Sequence, residues 1–405
     1  MNILSFKEIF SEKRRQDNKY VSILSTIWQK PGISRKDICT ELSLSNGTVS
    51  KNINYMLERN WIVENGYVAA AGSTGRRQVS LTLKSDLFYS IGVCLYQGFY
   101  RAVLLDASTS VLQEIVLDWN RKKDYQERFV DLKDAINKLL AAVDKKKVLG
   151  IGIAIPGFFD NKSGKVYFSS EAAEGFSFTD FIEKNFDLPF RVINISQIRA
   201  VMEYMWGAAK GMKNFIIIDS GFGAGFFFNG KLCRGWQGQS GEFGHMQIQR
   251  DGEFHTDGRP GTIEVLAALY KIMDKVAEII RQGGMTKMKK YMVNVDKPSV
   301  EMIIMAIEDG DLLCAQLLSE SFEHVACGIV NIAYLLNPEA IFLEDWTARC
   351  PSCTIDIVRR RMGHYGVSNS HLSTKILSAS CNKDMVAKGS AYMLADAFLG
   401  NVFIE

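Results

Sequence analysis

Residues 20–58 limit the possible folds more than any other stretch, because apolar positions recur there at helical spacing and are interrupted by helix-stopping residues. From Tyr20, the apolar Ile23, Leu24, Ile27 and Trp28 fall three, four, seven and eight places on, which is one helical face, and Pro31-Gly32 then end it. Ser34 stands where an N-cap belongs, with Asp37 three residues on, so a second helix is predicted over Arg35 to Leu42. Leu42-Ser43-Leu44-Ser45 form a short turn. A third helix is predicted from about Asn46 to Glu58, with Val49, Ile53, Met56 and Leu57 inward and Asn46, Thr48, Ser50, Lys51, Asn52 and Asn54 outward.

An extended stretch from Trp61 to Tyr67-Val68, a tip at Gly72-Ser73-Thr74-Gly75-Arg76-Arg77 and the alternating Val79, Leu81 and Leu83 predict a hairpin. The outward groups of the third helix are short hydrogen-bonding side chains with one cation, suited to base edges and phosphates in a major groove. Charge points the same way: residues 1–85 hold 13 Lys/Arg against 7 Asp/Glu in a chain whose net charge is +3, leaving −3 for the remainder. A basic end on an otherwise acidic chain implies a polyanionic partner. Residues 1–85 are therefore expected to be a winged helix-turn-helix that binds a double-stranded DNA operator. Its expected contacts are Ser45, Asn46, Thr48, Ser50, Lys51, Asn52 and Asn54, with Arg76 and Arg77 at the wing. The competing reading is a packing or dimerisation module of three helices and a hairpin.

At 405 residues the chain is too long for one ordinary domain. No run of about 18 uncharged apolar residues and no secretion pattern is present, so a cytoplasmic protein without a membrane partner is expected. Eight cysteines in such a chain read as buried thiols; Cys350 and Cys353 are the one close pair, and no second pair completes a zinc tetrad. Residues 86–405 look α/β. Strand-like runs cover Phe88 to Leu95, Tyr100 to Leu105, Leu149 to Ile155 and Phe215 to Asp219, the last followed by Gly221, Gly223 and Gly225. Those glycines are read as sheet packing.

Pro156-Gly157, Trp206-Gly207-Ala208-Ala209, Gly235, Gly241-Glu242-Phe243-Gly244-His245 and Asn337-Pro338-Glu339 follow one another in an order and spacing that resemble the ROK family, which contains repressors and sugar kinases. With the N-terminal helix-turn-helix, the resemblance is to the repressor branch. It implies a two-lobed actin/hexokinase-like (ribonuclease H-like) α/β domain over residues 86–405, preceded by the winged helix-turn-helix. It also implies a hexose site formed by Asn194, Glu242, His245 and Glu264. Carboxylates and an imidazole suit vicinal sugar hydroxyls.

Three departures argue against catalysis. The family's general base falls at Ile195, whose alkyl side chain takes no proton. Cys94 stands where the first phosphate loop expects an acid, and Tyr96 where it expects a glycine. Glu344-Asp345 replace an expected Gly-Gly and bring two negative charges to where a nucleotide would approach. The resemblance further implies a zinc on His245 and on cysteines at positions occupied here by His255, Asp257 and Thr262. With all three thiolates replaced, no metal and no cofactor is expected, although His245, His255 and Asp257 retain some ligand character. The expected protein is a regulator, not an enzyme, controlled by a sugar or sugar-phosphate effector and working as a homodimer or homotetramer. The rivals are a sugar kinase with an accessory DNA-binding domain and a regulator controlled by a partner protein.

Overall fold

The computed structural model describes residues 19–68, 78–96, 99–118, 125–160, 165–167, 178–254, 259–292, 297–344, 351–363 and 373–400. The chain divides into two compact units, one made of residues 1–198 and 384–405, the other of residues 199–383.

The first unit begins with α1 (Lys19–Gln29), α2 (Arg35–Leu42) and α3 (Asn46–Glu58), then the hairpin β1 (Ile62–Val68) and β2 (Gln78–Leu83). Helix α2 starts on a capping box. The Ser34 hydroxyl accepts the Asp37 N–H at 3.2 Å and the Asp37 carboxylate accepts the Ser34 N–H at 3.3 Å. Ser43 closes the helix in the left-handed region, φ 50°, and Ser45 starts α3 by accepting the Thr48 N–H at 3.2 Å. Ile23, Leu24, Ile27, Val49, Ile53 and Met56 are fully buried where the three helices meet, as their spacing predicts; Ile38 joins them, and Leu57, expected inward, is half-buried.

The rest of this unit is built on a five-stranded sheet in the order β5-β4-β3-β6-β9. Strands β3 (Tyr89–Tyr96), β4 (Phe99–Asp106) and β5 (Val111–Asp118) form an antiparallel meander. Helix α4 (Tyr125–Ala141) leads to the wholly buried β6 (Val148–Ile155). A small hairpin, β7 (Phe158–Asp160) and β8 (Lys165–Tyr167), precedes α5 (Phe178–Asn185), β9 (Phe190–Asn194) and α6 (Ile195–Trp206). Strands β6 and β9 run parallel to β3.

The second unit repeats this plan. Strands β10 (Phe215–Ile218), β11 (Ala224–Phe228) and β12 (Lys231–Cys233) form the meander; β13 (Ala340–Leu343) and β14 (Lys375–Ser378) add in parallel, giving the order β12-β11-β10-β13-β14. Between β12 and β13 come α7 (Ile263–Ala267), α8 (Leu269–Arg281), α9 (Val300–Glu308) and the long α10 (Leu312–Leu336). Helix α11 (Pro351–Met362) precedes β14. A meander with two parallel strands beyond its first strand, made twice, is the duplicated ribonuclease H-like architecture expected from the resemblance.

Helix α12 (Val386–Leu399) returns to the first unit and lies directly on its sheet. Two strand glycines permit the approach, since a Cβ at Gly92 would stand 1.9 Å from the Ala387 carbonyl oxygen and one at Gly152 2.0 Å from that of Ser390. The winged helix-turn-helix, expected as a separate domain over residues 1–85, groups with this unit, because Trp28 is buried against Phe88 and Tyr392.

Several residues singled out in the sequence have structural duties. Asn337 ends α10 in the left-handed region, φ 43°, and the Glu339 carboxylate accepts the Lys213 and Asn214 N–H groups at 2.8 and 2.9 Å. Glu203, fully buried on α6, accepts from Ala208 N at 2.8 Å, Ser380 Oγ at 2.6 Å and Cys381 N at 3.0 Å. The glycine of Trp206-Gly207 is required there, since a Cβ would lie 2.5 Å from the Glu203 carboxyl carbon.

Candidate functional site

Two groups of residues carry chemistry. On the first, α3 turns Asn46, Gly47, Lys51 and Asn54 to solvent, with Ser50 half-buried between them. These positions form one helical face. Asn46 Oδ1 accepts from Cys39 Sγ at 3.1 Å and Asn54 Oδ1 accepts from Arg35 Nη1 at 3.1 Å, so both amides are held in place. The Ser45 and Thr48 hydroxyls bond each other at 2.8 Å.

Arg35, which the sequence reading gave no role, bridges Asn54 and Glu64, pairing with the latter at 3.0 Å. One expectation is corrected. Asn52 is buried, not outward: it stands three residues after Val49 and four before Met56, on the inward stripe, and its Nδ2 donates to the Thr48 carbonyl at 2.7 Å. The wing residues Arg76 and Arg77 lie outside the described residues.

The second group belongs to the other compact unit. Gly241 (φ +107°) is pressed on the Ala224 carbonyl oxygen, 1.8 Å from where a Cβ would be, and Gly244 on Phe222. This close packing holds the short helical turn Phe243–His245 against the sheet and presents Glu242 and His245 on one side. Glu264 comes from the first turn of α7. His245 Nε2 lies 3.5 Å from Glu242 Oε2 and 3.9 Å from Glu264 Oε2. Burial pushes the Glu242 carboxyl above the usual carboxylate range, and the negative charges of Glu264 and Asp219 add to the shift.

Asp219 thus joins the cluster, which sequence reasoning missed. Its Oδ1 also accepts the Gly221 and Gly223 N–H groups, at 2.8 and 3.0 Å, so those two glycines serve a tight turn between β10 and β11. The fourth expected ligand residue, Asn194, sits in the first unit. There its Nδ2 donates to the Gly157 carbonyl at 2.6 Å and its Oδ1 accepts the Ser196 N–H at 2.7 Å at the start of α6. Ile195 beside it is buried.

Of the phosphate-loop positions, Cys94 and Glu344 are interior, and of Tyr96 only the strand backbone is described. Cys94 is a buried residue in the middle of β3. Glu344 does not face an approaching nucleotide as a free negative charge: it is 2% exposed and ion-paired with Arg199, itself 1% exposed. A carboxylate buried this deeply needs either a counter-charge, as here, or a set of hydrogen-bond donors, as at Glu203. Asp345 and Cys350 lie outside the described residues, and of Cys353 only the helical backbone is described.

A zinc ion does not fit the residues present. The Thr262 hydroxyl is fully buried as the N-cap of α7, accepting from Val265 N at 3.4 Å, and the Arg259 guanidinium already contacts His245 Nδ1. His255 and Asp257 lie outside the described residues, and no group of three or more metal-binding side chains occurs among the described ones. No helix among the described residues is long and apolar enough to cross a membrane.

Comparison with known proteins places these features. The ROK family profile matches residues 100–397, and a winged helix-turn-helix DNA-binding profile matches residues 21–63. The xylose repressor of Caldicellulosiruptor bescii is 27% identical over 336 residues, covering 82% of this chain and 83% of its own length. The DNA-binding transcriptional dual regulator NagC of Escherichia coli K12 is 27% identical over 316 residues, covering 77% and 76%. The crystal structure of a ROK family transcriptional regulator, described as a homologue of the E. coli MLC protein, superposes with a TM-score of 0.77 at 24% identity. It covers 95% of this chain and 96% of that one.

Proposed function

Because this chain belongs to the ROK family and carries a winged helix-turn-helix DNA-binding segment ahead of its kinase-like domain, we propose that it is a sugar-responsive transcriptional repressor with no kinase activity. The observation that carries the reading is the convergence of Glu242, His245 and Glu264 in a protein whose α3 exposes Asn46, Lys51 and Asn54 on one face, with half-buried Ser50 between them. Paired acceptor oxygens beside a ring N–H match vicinal hydroxyls. The operator is read by α3, with Ser45 and Thr48 fixing its first turn and Arg76 and Arg77 reaching the backbone from the wing. A homodimer would present two such helices to a pseudo-palindromic site.

The ligand is a neutral sugar and not its phosphate, since the Glu242 and Glu264 carboxylates both flank His245 at the site. Relatives named as xylose and N-acetylglucosamine repressors make pentoses and amino sugars the first candidates. Chemistry on the sugar is absent because the position of the family's general base is the buried Ile195.

The test is titration calorimetry with D-xylose, D-glucose and N-acetyl-D-glucosamine, followed by anisotropy measurements on operator fragments selected from genomic DNA. Binding of one sugar with a matching change in operator affinity supports the reading. ATP-dependent turnover of any of them in a coupled assay overturns it. A second reading, control by a partner protein, is favoured by Trp236, which is 99% exposed between the left-handed glycines Gly235 and Gly238. Operator binding that responds to no sugar in the panel would turn the argument to that surface.

A further inference from the structure

Both ends of the Arg259 guanidinium engage a single residue. Nη2 contacts His245 Nδ1, and Nη1 lies 3.4 Å from the His245 carbonyl oxygen. Arginine carries only donors and keeps its charge at any relevant pH. The nitrogen that faces it must therefore present a lone pair, which leaves the ring proton on Nε2. That second nitrogen is the one directed at Glu242 and Glu264.

We propose that Arg259 is the positioning residue of the ligand site, a built-in cation that does the work a metal ion on His245 Nδ1 would do. A metal there takes the Nδ1 lone pair, fixes the ring plane and leaves an Nε2–H donor facing outward. The guanidinium does the same three things. Of the other metal positions, Thr262 is described, and its buried hydroxyl caps α7; a guanidinium against Nδ1 repels any metal ion. The two His245 faces are thus divided. Nδ1 holds the structure, and Nε2–H, with the Glu242 and Glu264 carboxylates, points a donor and acceptors at the ligand. The short chain from Pro260 through Gly261 to Thr262 ties Arg259 to α7, which also carries Glu264, so the same segment places the cation and one acceptor.

The inference rests on reading Glu242, His245 and Glu264 as a ligand site, and its test separates the two. Full-length protein labelled with ring-15N histidine reports the His245 tautomer by long-range proton–nitrogen correlation, with Glu242→Gln and His245→Gln variants giving the assignment. The Nε2–H tautomer is expected in the wild type, unchanged by a chelator. In Arg259→Ala the ring is expected to exchange between tautomers, and affinity for the tightest-binding sugar of the D-xylose, D-glucose and N-acetyl-D-glucosamine panel should fall about 10-fold or more. Arg259→Lys, which keeps the charge but not the planar two-pronged donor, should recover part of both effects, and guanidinium ion added to Arg259→Ala should recover more than an equal concentration of sodium.

A wild-type ring protonated on Nδ1, or one equivalent of zinc lost together with the tautomer on chelation, overturns the proposal. So does an Arg259→Ala protein whose tautomer and sugar affinity both match the wild type. If no sugar binds but the tautomer still depends on Arg259, the positioning role stands and the sugar reading falls.

Discussion

The indole of Trp28 on α1 stacks on the ring of Tyr392 on α12, with centroids 4.3 Å apart and planes 12° from parallel. Both side chains are buried, and Phe88 at the start of the first sheet packs against the same indole at 6.5 Å. The DNA-reading helices are therefore attached through an aromatic stack to a helix that lies backbone-to-backbone on the sheet of the first lobe. A ligand changes operator affinity only if the two states it distinguishes differ at the DNA reader. This stack is one contact at which such a difference can be tested. Trp28→Ala should lower stability by about 3–5 kcal/mol, read as a denaturant midpoint. Trp28→Leu should keep the fold and operator binding while shrinking the sugar-induced change in affinity. An unaltered sugar response in Trp28→Leu would sink the idea.

The buried pair of Arg199 and Glu344 offers a cleaner measurement. Removal of one partner takes the counter-charge away from a buried ion, so Arg199→Met and Glu344→Gln should each cost about 3–5 kcal/mol. The double variant Arg199→Met with Glu344→Leu should recover most of that loss, because two apolar side chains need no counter-charge. Equal destabilisation in the single and double variants, by urea unfolding, would show that the ion pair itself is not what holds these positions.

That pair also marks how far the chain could be read without coordinates. Local signals carried well: the Ser34 and Asp37 capping box, the Pro31-Gly32 stop and the inward stripe of Val49, Ile53 and Met56 all depend on neighbours within a few residues. Glu242, His245 and Glu264 came together because a dense glycine motif fixes the turn that bears two of them. Arg199 with Glu344, and Arg259 with His245, were illegible for the opposite reason. Arg199 and Glu344 are distant in sequence, no motif or periodicity announces either pair, and charged residues default to the surface unless paired. Asn52 is a different case, since its spacing placed it on the buried stripe and only its polarity argued otherwise.

Asp311 should give the acid-range stability a measurable slope. Burial raises its pKa, but the Thr286 hydroxyl and the N–H groups of Cys314 and Met288, at 3.0 and 3.2 Å, outweigh that and hold the carboxyl below its ordinary value. A depressed folded pKa contributes stability that is fully present above the unfolded value of about 3.9 and is lost as pH falls through the lower folded one. Asp311→Asn keeps an oxygen for the cap but not the charge, and should cost about 1–2 kcal/mol near neutrality. The gap between the variant and wild-type urea midpoints should stay constant from pH 7 to about 5 and close below about pH 4. A gap that persists to the lowest pH would contradict the charge-based account.

Asn52 and Lys51 are adjacent in sequence but should behave oppositely. Lys51→Ala removes an exposed cation from the reading face, so it should weaken operator binding and lower the slope of log affinity on log salt by roughly one unit. Asn52→Ala removes a buried side chain bonded to its own helix, so it should cost about 1 kcal/mol of stability and leave the preferred sequence unchanged. A shift in the sequences selected by Asn52→Ala would return that residue to the interface.

Gly47 separates folding from recognition most directly. It lies in the first turn of α3, exposed, and a Cβ there would have nothing within 4 Å, so no packing in the protein requires a glycine. A helical glycine is unfavourable by roughly 0.5–1 kcal/mol relative to alanine, and that loss goes uncompensated within the chain. Close approach of a DNA backbone to the start of the reading helix would account for it, because a methyl group at this point would hold the helix away from the duplex. Gly47→Ala should therefore raise the melting temperature while weakening operator binding, an inverse pairing that a destabilising lesion does not produce. Anisotropy titration on the selected operator gives the second quantity, and affinity that is unchanged or improved in the stabilised variant would mean that this end of α3 does not meet DNA.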